Sequence, residues 1–170
     1  TAFWNLFGAG VLGFLINTPI ALYFIQGLNT TATHAHGAFM GVYGNLGVGL
    51  MLFCLVGISK QVGWDDRLLK WSFWSLNIGL MAMIVMSLLP IGLVQFYAAV
   101  DGGYWFARSP EIIQSELVRT LVWNRVWGDV LFSVGALLLA YFLLGLIRGA
   151  LSKSAPAENG GVPLIPSNRR

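Results

Sequence analysis

Apolar side chains dominate four long stretches of the chain, and most charged residues lie between or after them. The stretches cover about residues 3–25, 33–58, 68–97 and 122–147, and each has room for the roughly 20 residues with which a helix crosses a bilayer. Inside lipid every backbone N–H and C=O group needs a partner within its own segment, which excludes an open sheet. The pattern predicts an all-α integral membrane protein with about four transmembrane helices.

Prolines mark the places where these helices should bend or begin. Pro19 and Pro90 lie inside the first and third stretches, and each predicts a kink, because proline has no N–H group to continue the helical hydrogen bonds. Between the third and fourth stretches, Ser109 followed by Pro110 is typical of an N-cap and a first helical turn. We expect a short helix there that ends at about Arg119.

The composition supports membrane insertion and removes two other classes of protein. Of the 170 residues, 56% are hydrophobic and only 10% are charged, against about 25% charged residues in soluble domains. The ten Lys and Arg residues, in a chain of net charge +3, are scattered and form no patch for nucleic acid. A single cysteine, Cys54, excludes an internal disulfide framework. Residues 1–151 form the transmembrane region in this interpretation, and residues 152–170 form a polar, disordered tail.

Positive charges are shared unequally between the two predicted sides of the membrane. The turn after the second stretch and the segment after the fourth lie on one side of the membrane. That side carries Lys60, Arg67, Lys70, Arg148, Lys153, Arg169 and Arg170, and the opposite side carries Arg108, Arg119 and Arg125. Because cytoplasmic segments are enriched in Lys and Arg, we expect a cytoplasmic C-terminus and an external connection between the third and fourth stretches.

The two histidines of the chain, His34 and His36, lie at the predicted external end of the second stretch. Positions two residues apart on an α-helix differ by about 200° in direction, so the rings should point to nearly opposite sides. That geometry is poor for chelating one ion and suits the ligation of two separate centres, and imidazole is a common axial ligand of haem iron. Simple hydrogen bonding at the membrane interface is the alternative.

Small residues follow the histidines. Gly37, Ala38 and Gly41 would allow either a flat macrocycle or another helix to approach the backbone closely. A Gly-x-x-x-Gly pattern by itself indicates a helix-packing face. The sequence leaves both interpretations open.

Polar residues inside the other stretches give two further hypotheses. Asp129 lies one helical turn after Arg125, and this i,i+4 spacing predicts an ion pair. Asn45 and Asn77 fall inside helices and are expected to form interhelical hydrogen bonds.

The strings around these residues carry a family resemblance. The chain reads THAHGAF at 33–39 and GVYG at 41–44, after GAGVLGFLINTP at 8–19. These strings resemble the haem-ligand helix, and the helix before it, of the nitric oxide reductases in the haem-copper oxidase superfamily. FARS at 106–109 and WNRVWGD at 123–129 are similar to the quinol-dependent type, in which one polypeptide forms the whole enzyme. The resemblance extends to about residue 151 and implies the last four helices of a haem-copper-oxidase-like bundle.

The resemblance also implies roles for individual residues. His34 matches the proximal ligand of a high-spin b-type haem, and His36 matches an axial ligand of a low-spin b-type haem. Gly37, Ala38 and Gly41 would lie beside these cofactors, and Asp129 matches an aspartate near the quinol pocket. The family also holds a non-haem iron with three histidines and a glutamate on earlier helices. No histidine remains here for that site, so we expect those ligands on N-terminal helices outside this chain.

The function that follows from the resemblance is respiratory reduction of nitric oxide to N₂O and water with electrons from quinol, in a bacterial inner membrane. An oxygen-reducing oxidase of the same superfamily is one alternative, because it shares the His-x-His helix. A haem-free four-helix transporter or membrane anchor is the other. Membrane lipid and the N-terminal helices are the expected partners, and the sequence leaves the oligomeric state open.

Overall fold

Helices are the only regular structure in the part of the chain that the computed structural model describes, residues 1–58 and 63–154. We number the helices in chain order, and a 3₁₀ turn, Phe106–Arg108, precedes the fifth. They are α1 (Ala2–Asn17), α2 (Pro19–Ile25), α3 (29–58), α4 (Asp66–Gly102), α5 (Pro110–Ile113) and α6 (Glu116–Ser154). The all-α prediction is confirmed.

Three of these helices, α3, α4 and α6, are long and apolar enough to cross a membrane, and α1 with α2 makes a fourth span if the bent pair counts as one. The predicted number of spans is therefore confirmed, and the chain is a multi-pass membrane protein. The observed helices are longer than the apolar stretches that predicted them. For example, α4 covers Asp66–Gly102, since its polar ends add helical turns beyond the apolar core.

The chain breaks sharply at Thr18, where we expected only a kink. The axes of α1 and α2 differ by 92°, and Thr18 leaves the helical region of backbone conformation with ψ 128°. Pro19 is then the first residue of α2, a position where its missing N–H group has no intrahelical acceptor to lose. Proline here starts a new helix in a new direction and does not bend an existing one.

The second proline has a different effect. Helix α4 continues through Pro90 without a break, and a π-helical stretch, Ile84–Leu88, lies directly before it. A π turn has i→i+5 hydrogen bonds and widens the helix locally. The helix is widened shortly before Pro90, and the kink predicted there stays a prediction. Two more π-helical stretches, Asn5–Val11 in α1 and His36–Gly44 in α3, occur on the helices that carry the site.

The predicted helix at 110–119 is wrong in its extent. Helix α5 ends at Ile113 and α6 already begins at Glu116, so the two are separated by a short turn. Ser109 occupies the N-cap position of α5 as predicted, but its side chain makes no capping hydrogen bond.

The predicted tail at 152–170 lies mainly outside the described residues. Helix α6 extends to Ser154, and residues 155–170 are not described, nor is Lys60. The charge-based orientation of the bundle therefore stays a prediction.

Helices α4 and α6 pack closely because small residues line their contact. A Cβ on Gly79 would lie 2.5 Å from the backbone nitrogen of Phe132, and one on Gly128 would lie 2.9 Å from the carbonyl oxygen of Gly79. Ser72 donates a hydrogen bond to the carbonyl oxygen of Gly135 at 2.8 Å. Small residues allow such backbone contact in membrane bundles, and this contact holds the long α6 against α4.

The turn between α2 and α3 is held by the connection that follows α4. The Tyr104 hydroxyl donates to the carbonyl oxygen of Gln26 at 2.7 Å, and Nη2 of Arg108 donates to that of Gly27 at 2.9 Å. Gly27 has φ +69°, a conformation that glycine adopts without the steric cost of a Cβ. Together these bonds fix the point from which α3 starts.

Candidate functional site

The two histidines lie in the first turns of α3, and this end of the helix is anchored on α4. The side chain of Gln95 accepts a hydrogen bond from the backbone nitrogen of Asn29 at 2.9 Å, and Gln95 is buried. A Cβ on Gly92 would lie 2.6 Å from the backbone nitrogen of Thr30. The start of α3 is thus held in both position and direction.

His34 points at α1. Its Nδ1 lies 2.8 Å from the carbonyl oxygen of Gly8, and because a carbonyl oxygen can only accept, Nδ1 carries the proton. The Nε2 atom of the neutral ring then presents its lone pair. Gly13 leaves room for the ring, since a Cβ there would lie 2.9 Å from Cε1 of His34.

His36 points away from α1, toward α6. Its Nδ1 lies 2.9 Å from the carbonyl oxygen of Ala32, one turn earlier in the same helix, so the same argument assigns the proton to Nδ1. Its Nε2 lies 3.4 Å from Nη2 of Arg125 on α6. The two rings therefore contact different helices, and the nearly opposite directions predicted from their spacing stay a prediction.

Both rings fit the requirements of a metal ligand. Histidines that bind a metal through one nitrogen almost always donate the other N–H group to a carbonyl or carboxylate, which fixes tautomer and ring direction. Each histidine here has that arrangement, with Nε2 as the nitrogen that would bind a metal, and in His36 this atom lies beside Nη2 of Arg125. Across residues 1–58 and 63–154 no three His, Cys, Asp or Glu side chains come together to hold an ion. The binding of haem iron by these two rings stays a prediction.

The small residues after the histidines contact another helix. A Cβ on Gly37 would lie 2.6 Å from the Cα of Gly8, and one on Gly41 would clash with the indole ring of Trp4. Ala38, between them, is half-buried. Contact with α1 accounts for the two glycines, and a role of all three residues beside a cofactor stays a prediction.

A polar network joins α1, α3 and α4 further along α3, on the C-terminal side of the histidines. Asn77 on α4 accepts hydrogen bonds at Oδ1 from Nε1 of Trp4, at 2.8 Å, and from Nδ2 of Asn45, at 3.0 Å. The interhelical bonding expected of Asn45 and Asn77 is confirmed. Trp4, which is only 4% exposed, was missed, because an indole in an apolar stretch gives no sequence signal of a specific acceptor.

Asp129 and Arg125 form the predicted ion pair on α6. Nε of Arg125 lies 3.2 Å from Oδ1 of Asp129, and both side chains are partly exposed. The approach of Arg125 to His36 was not predicted, because it depends on how α3 and α6 are placed side by side. The role of Asp129 near a quinol stays a prediction.

Two comparisons with known proteins show what the chain as a whole is similar to. A family model described as cytochrome c and quinol oxidase polypeptide I matches residues 1–150. The chain is also similar to a nitric oxide reductase polypeptide of Stutzerimonas stutzeri, with 26% identity over 161 residues. That alignment covers 88% of this chain and 32% of the relative, so the chain spans about a third of the relative's length.

Proposed function

Since the chain belongs to the family of cytochrome c and quinol oxidase polypeptide I, we propose that it supplies axial haem ligands to a respiratory nitric oxide reductase. The reaction is 2 NO + 2 e⁻ + 2 H⁺ → N₂O + H₂O. The family supports a haem-dependent respiratory oxidoreductase. The choice of nitric oxide as substrate is supported by the similarity to the nitric oxide reductase of Stutzerimonas stutzeri and by the strings around the histidines.

The arrangement of His34 and His36 is the observation that carries this proposal. Both rings donate Nδ1–H to a backbone carbonyl oxygen, which leaves Nε2 as the nitrogen that could bind iron. In His36, iron would take the place of the Arg125 contact at that atom. One ring faces α1 and the other faces α6. A single helix can therefore ligate two haems, one on each side.

The two ligands have different tasks in the proposed reaction. His34 would hold a high-spin b-type haem, which would supply the iron at which nitric oxide binds. His36 would hold a low-spin b-type haem, which would supply electrons. The Gly8 carbonyl oxygen holds the His34 ring through Nδ1 at 2.8 Å, and a fixed ring direction strengthens a metal ligand.

The remaining ligands are proposed to come from outside this chain. The second axial ligand of the low-spin haem and the ligands of a non-haem iron would lie on N-terminal helices. The relative is about three times as long as the aligned segment, since the alignment covers 32% of it. We place the whole protein in a bacterial inner membrane with its C-terminus in the cytoplasm.

Quinol is the proposed electron donor, and Asp129 is the candidate contact. Its side chain is 46% exposed, so a ligand can reach it. A carboxylate in that position can accept a proton or a hydrogen bond from a quinol hydroxyl. We therefore expect Asp129→Asn to lower quinol-linked turnover while the haem content stays normal. Unchanged turnover with normal haem content would contradict the assignment.

The ligand assignment is tested by optical spectroscopy of the purified full-length protein. We expect His36→Ala to remove the low-spin haem signal and to spare the high-spin signal, and His34→Ala to do the reverse. Gly47→Ala, on the same helix and with open space around the added methyl group, is the control and should keep both signals. Retention of the low-spin signal in His36→Ala would overturn the assignment.

An oxygen-reducing oxidase is the second candidate, because the matching family model is named for oxidases. Metal analysis of the same preparation separates the two. A reductase of the proposed type should contain non-haem iron and no copper, whereas stoichiometric copper would favour the oxidase.

A further inference from the structure

Arg125 joins a carboxylate on its own helix to the ring of His36 on another. Its Nε donates to Oδ1 of Asp129 at 3.2 Å, and its Nη2 lies 3.4 Å from Nε2 of His36. Because Nδ1 of His36 carries the proton, Nη2 faces the lone pair of Nε2. The guanidinium group therefore lies beside the atom that is proposed to bind the low-spin haem iron.

The two contacts of Arg125 use different nitrogens. Iron at Nε2 of His36 would displace Nη2, because both need the same lone pair. The bond from Nε to Asp129 does not involve that lone pair. It joins residues one helical turn apart, a spacing that keeps the two side chains on the same face of α6. Asp129 can thus hold the guanidinium group near His36 after the Nη2 contact is lost.

A charge close to a haem shifts its reduction potential. Reduction adds an electron, so a nearby positive charge favours the reduced form and a nearby negative charge favours the oxidised form; net charge around a redox centre is one of the factors that set its potential. Coulomb interactions are stronger in a membrane protein interior than in water. Arg125 and Asp129 carry opposite charges, so their effects on the haem partly cancel.

We propose that Arg125 and Asp129 act as a charge pair that sets the reduction potential of the low-spin haem bound by His36. This inference rests on the proposed function, because it needs a haem at His36. It makes Arg125 a positioning residue, since the guanidinium group acts through the haem environment and does not bind the substrate.

The test is a mediated redox titration of the low-spin haem in the purified full-length protein, without quinol. We expect Arg125→Gln to lower the midpoint potential, Asp129→Asn to raise it, and the double variant to lie between the two. Arg125→Lys keeps the charge and should stay near the wild-type value. Arg119→Gln removes the same charge from the same helix at about 9 Å of helical rise from Arg125, and should leave the potential unchanged.

The outcomes separate this inference from the proposed function. If the wild-type protein lacks low-spin haem, the proposed function fails. If low-spin haem is present but both single variants shift its potential in the same direction, or neither shifts it, the charge-pair proposal fails and the ligand assignment stands. If Arg125→Gln loses the haem, the midpoint potentials of two other variants test the charge-pair proposal. Asp129→Asn should still raise the potential, and Arg125→Lys should stay near the wild-type value.

Discussion

Gly8 and Gly37 face each other where α1 crosses α3, so closely that a Cβ on Gly37 would lie 2.6 Å from the Cα of Gly8. The carbonyl oxygen of Gly8 is also the acceptor for Nδ1 of His34. The contact between the two backbones and the direction of the proposed ligand therefore depend on the same peptide group.

A methyl group at this contact should separate the helices. We expect Gly37→Ala to lower the free energy of unfolding by about 1–3 kcal/mol, a usual cost of overpacking, and to reduce the high-spin haem content, because the Gly8 carbonyl oxygen moves away from His34. Thermal unfolding in detergent and the optical spectrum measure the two effects. Gly49→Ala, with nothing near its added methyl group, should be neutral or slightly stabilising, because alanine is more favourable than glycine inside a helix. Equal stability of the two variants would contradict the prediction.

The amide of Asn77 should contribute to stability through the partners it holds on other helices. Asn77→Leu leaves Nε1 of Trp4 without its acceptor, and an unsatisfied buried donor costs about 1–3 kcal/mol. We expect a lower unfolding temperature than for Asn17→Leu, whose amide donates within its own helix, to Gly13. The prediction fails if both variants unfold at the same temperature.

The contact between α4 and α6 should be sensitive to one methyl group at Gly135. A Cβ there would lie 2.7 Å from the backbone nitrogen of Leu76, and backbone cannot turn aside as a side chain can. Gly135→Ala should therefore destabilise the protein by about 1–3 kcal/mol. Gly145→Ala on the same helix meets open space and should not. The unfolding temperatures of the two variants measure the difference. A Gly135→Ala variant that unfolds at the same temperature as Gly145→Ala would contradict the close contact.

Arg108 should hold the turn that leads into α3. Its guanidinium group donates to the carbonyl oxygens of Gln26 and Gly27 and stacks on the ring of Tyr104, with Cζ 4.3 Å from the ring centroid. Arg108→Gln cannot make all these contacts, so we expect faster amide hydrogen exchange at Leu28, whose N–H group bonds within this turn. Arg119→Gln is the control, and equal exchange in both variants would argue against the role of Arg108.

Most of the features that sequence could predict depend on one helix at a time, although the amides of Asn45 and Asn77 inside apolar stretches also indicate hydrogen bonds between helices. Hydropathy and length predict the spans, and two-residue spacing predicts opposed directions for His34 and His36. Pro19 shows the limit within a helix, because a proline is equally compatible with a bend and with the first turn of a new helix. The contact of Arg125 with His36 joins residues 89 positions apart, and no local pattern encodes how two such helices are aligned.

The π-helical stretch His36–Gly44 has a consequence for the angular phase of α3. Each residue turns an α-helix by about 100°, and a π turn holds an extra residue. The wide turns thus fit one more residue into about the same rotation. His34 can therefore face Gly8 while Asn45, one extra residue further along the chain, faces Asn77. The π turns keep the histidines and Asn45 directed at their own neighbouring helices. The sequences of homologous helices should therefore be aligned by these contacts and not by an uninterrupted period of about 3.6 residues.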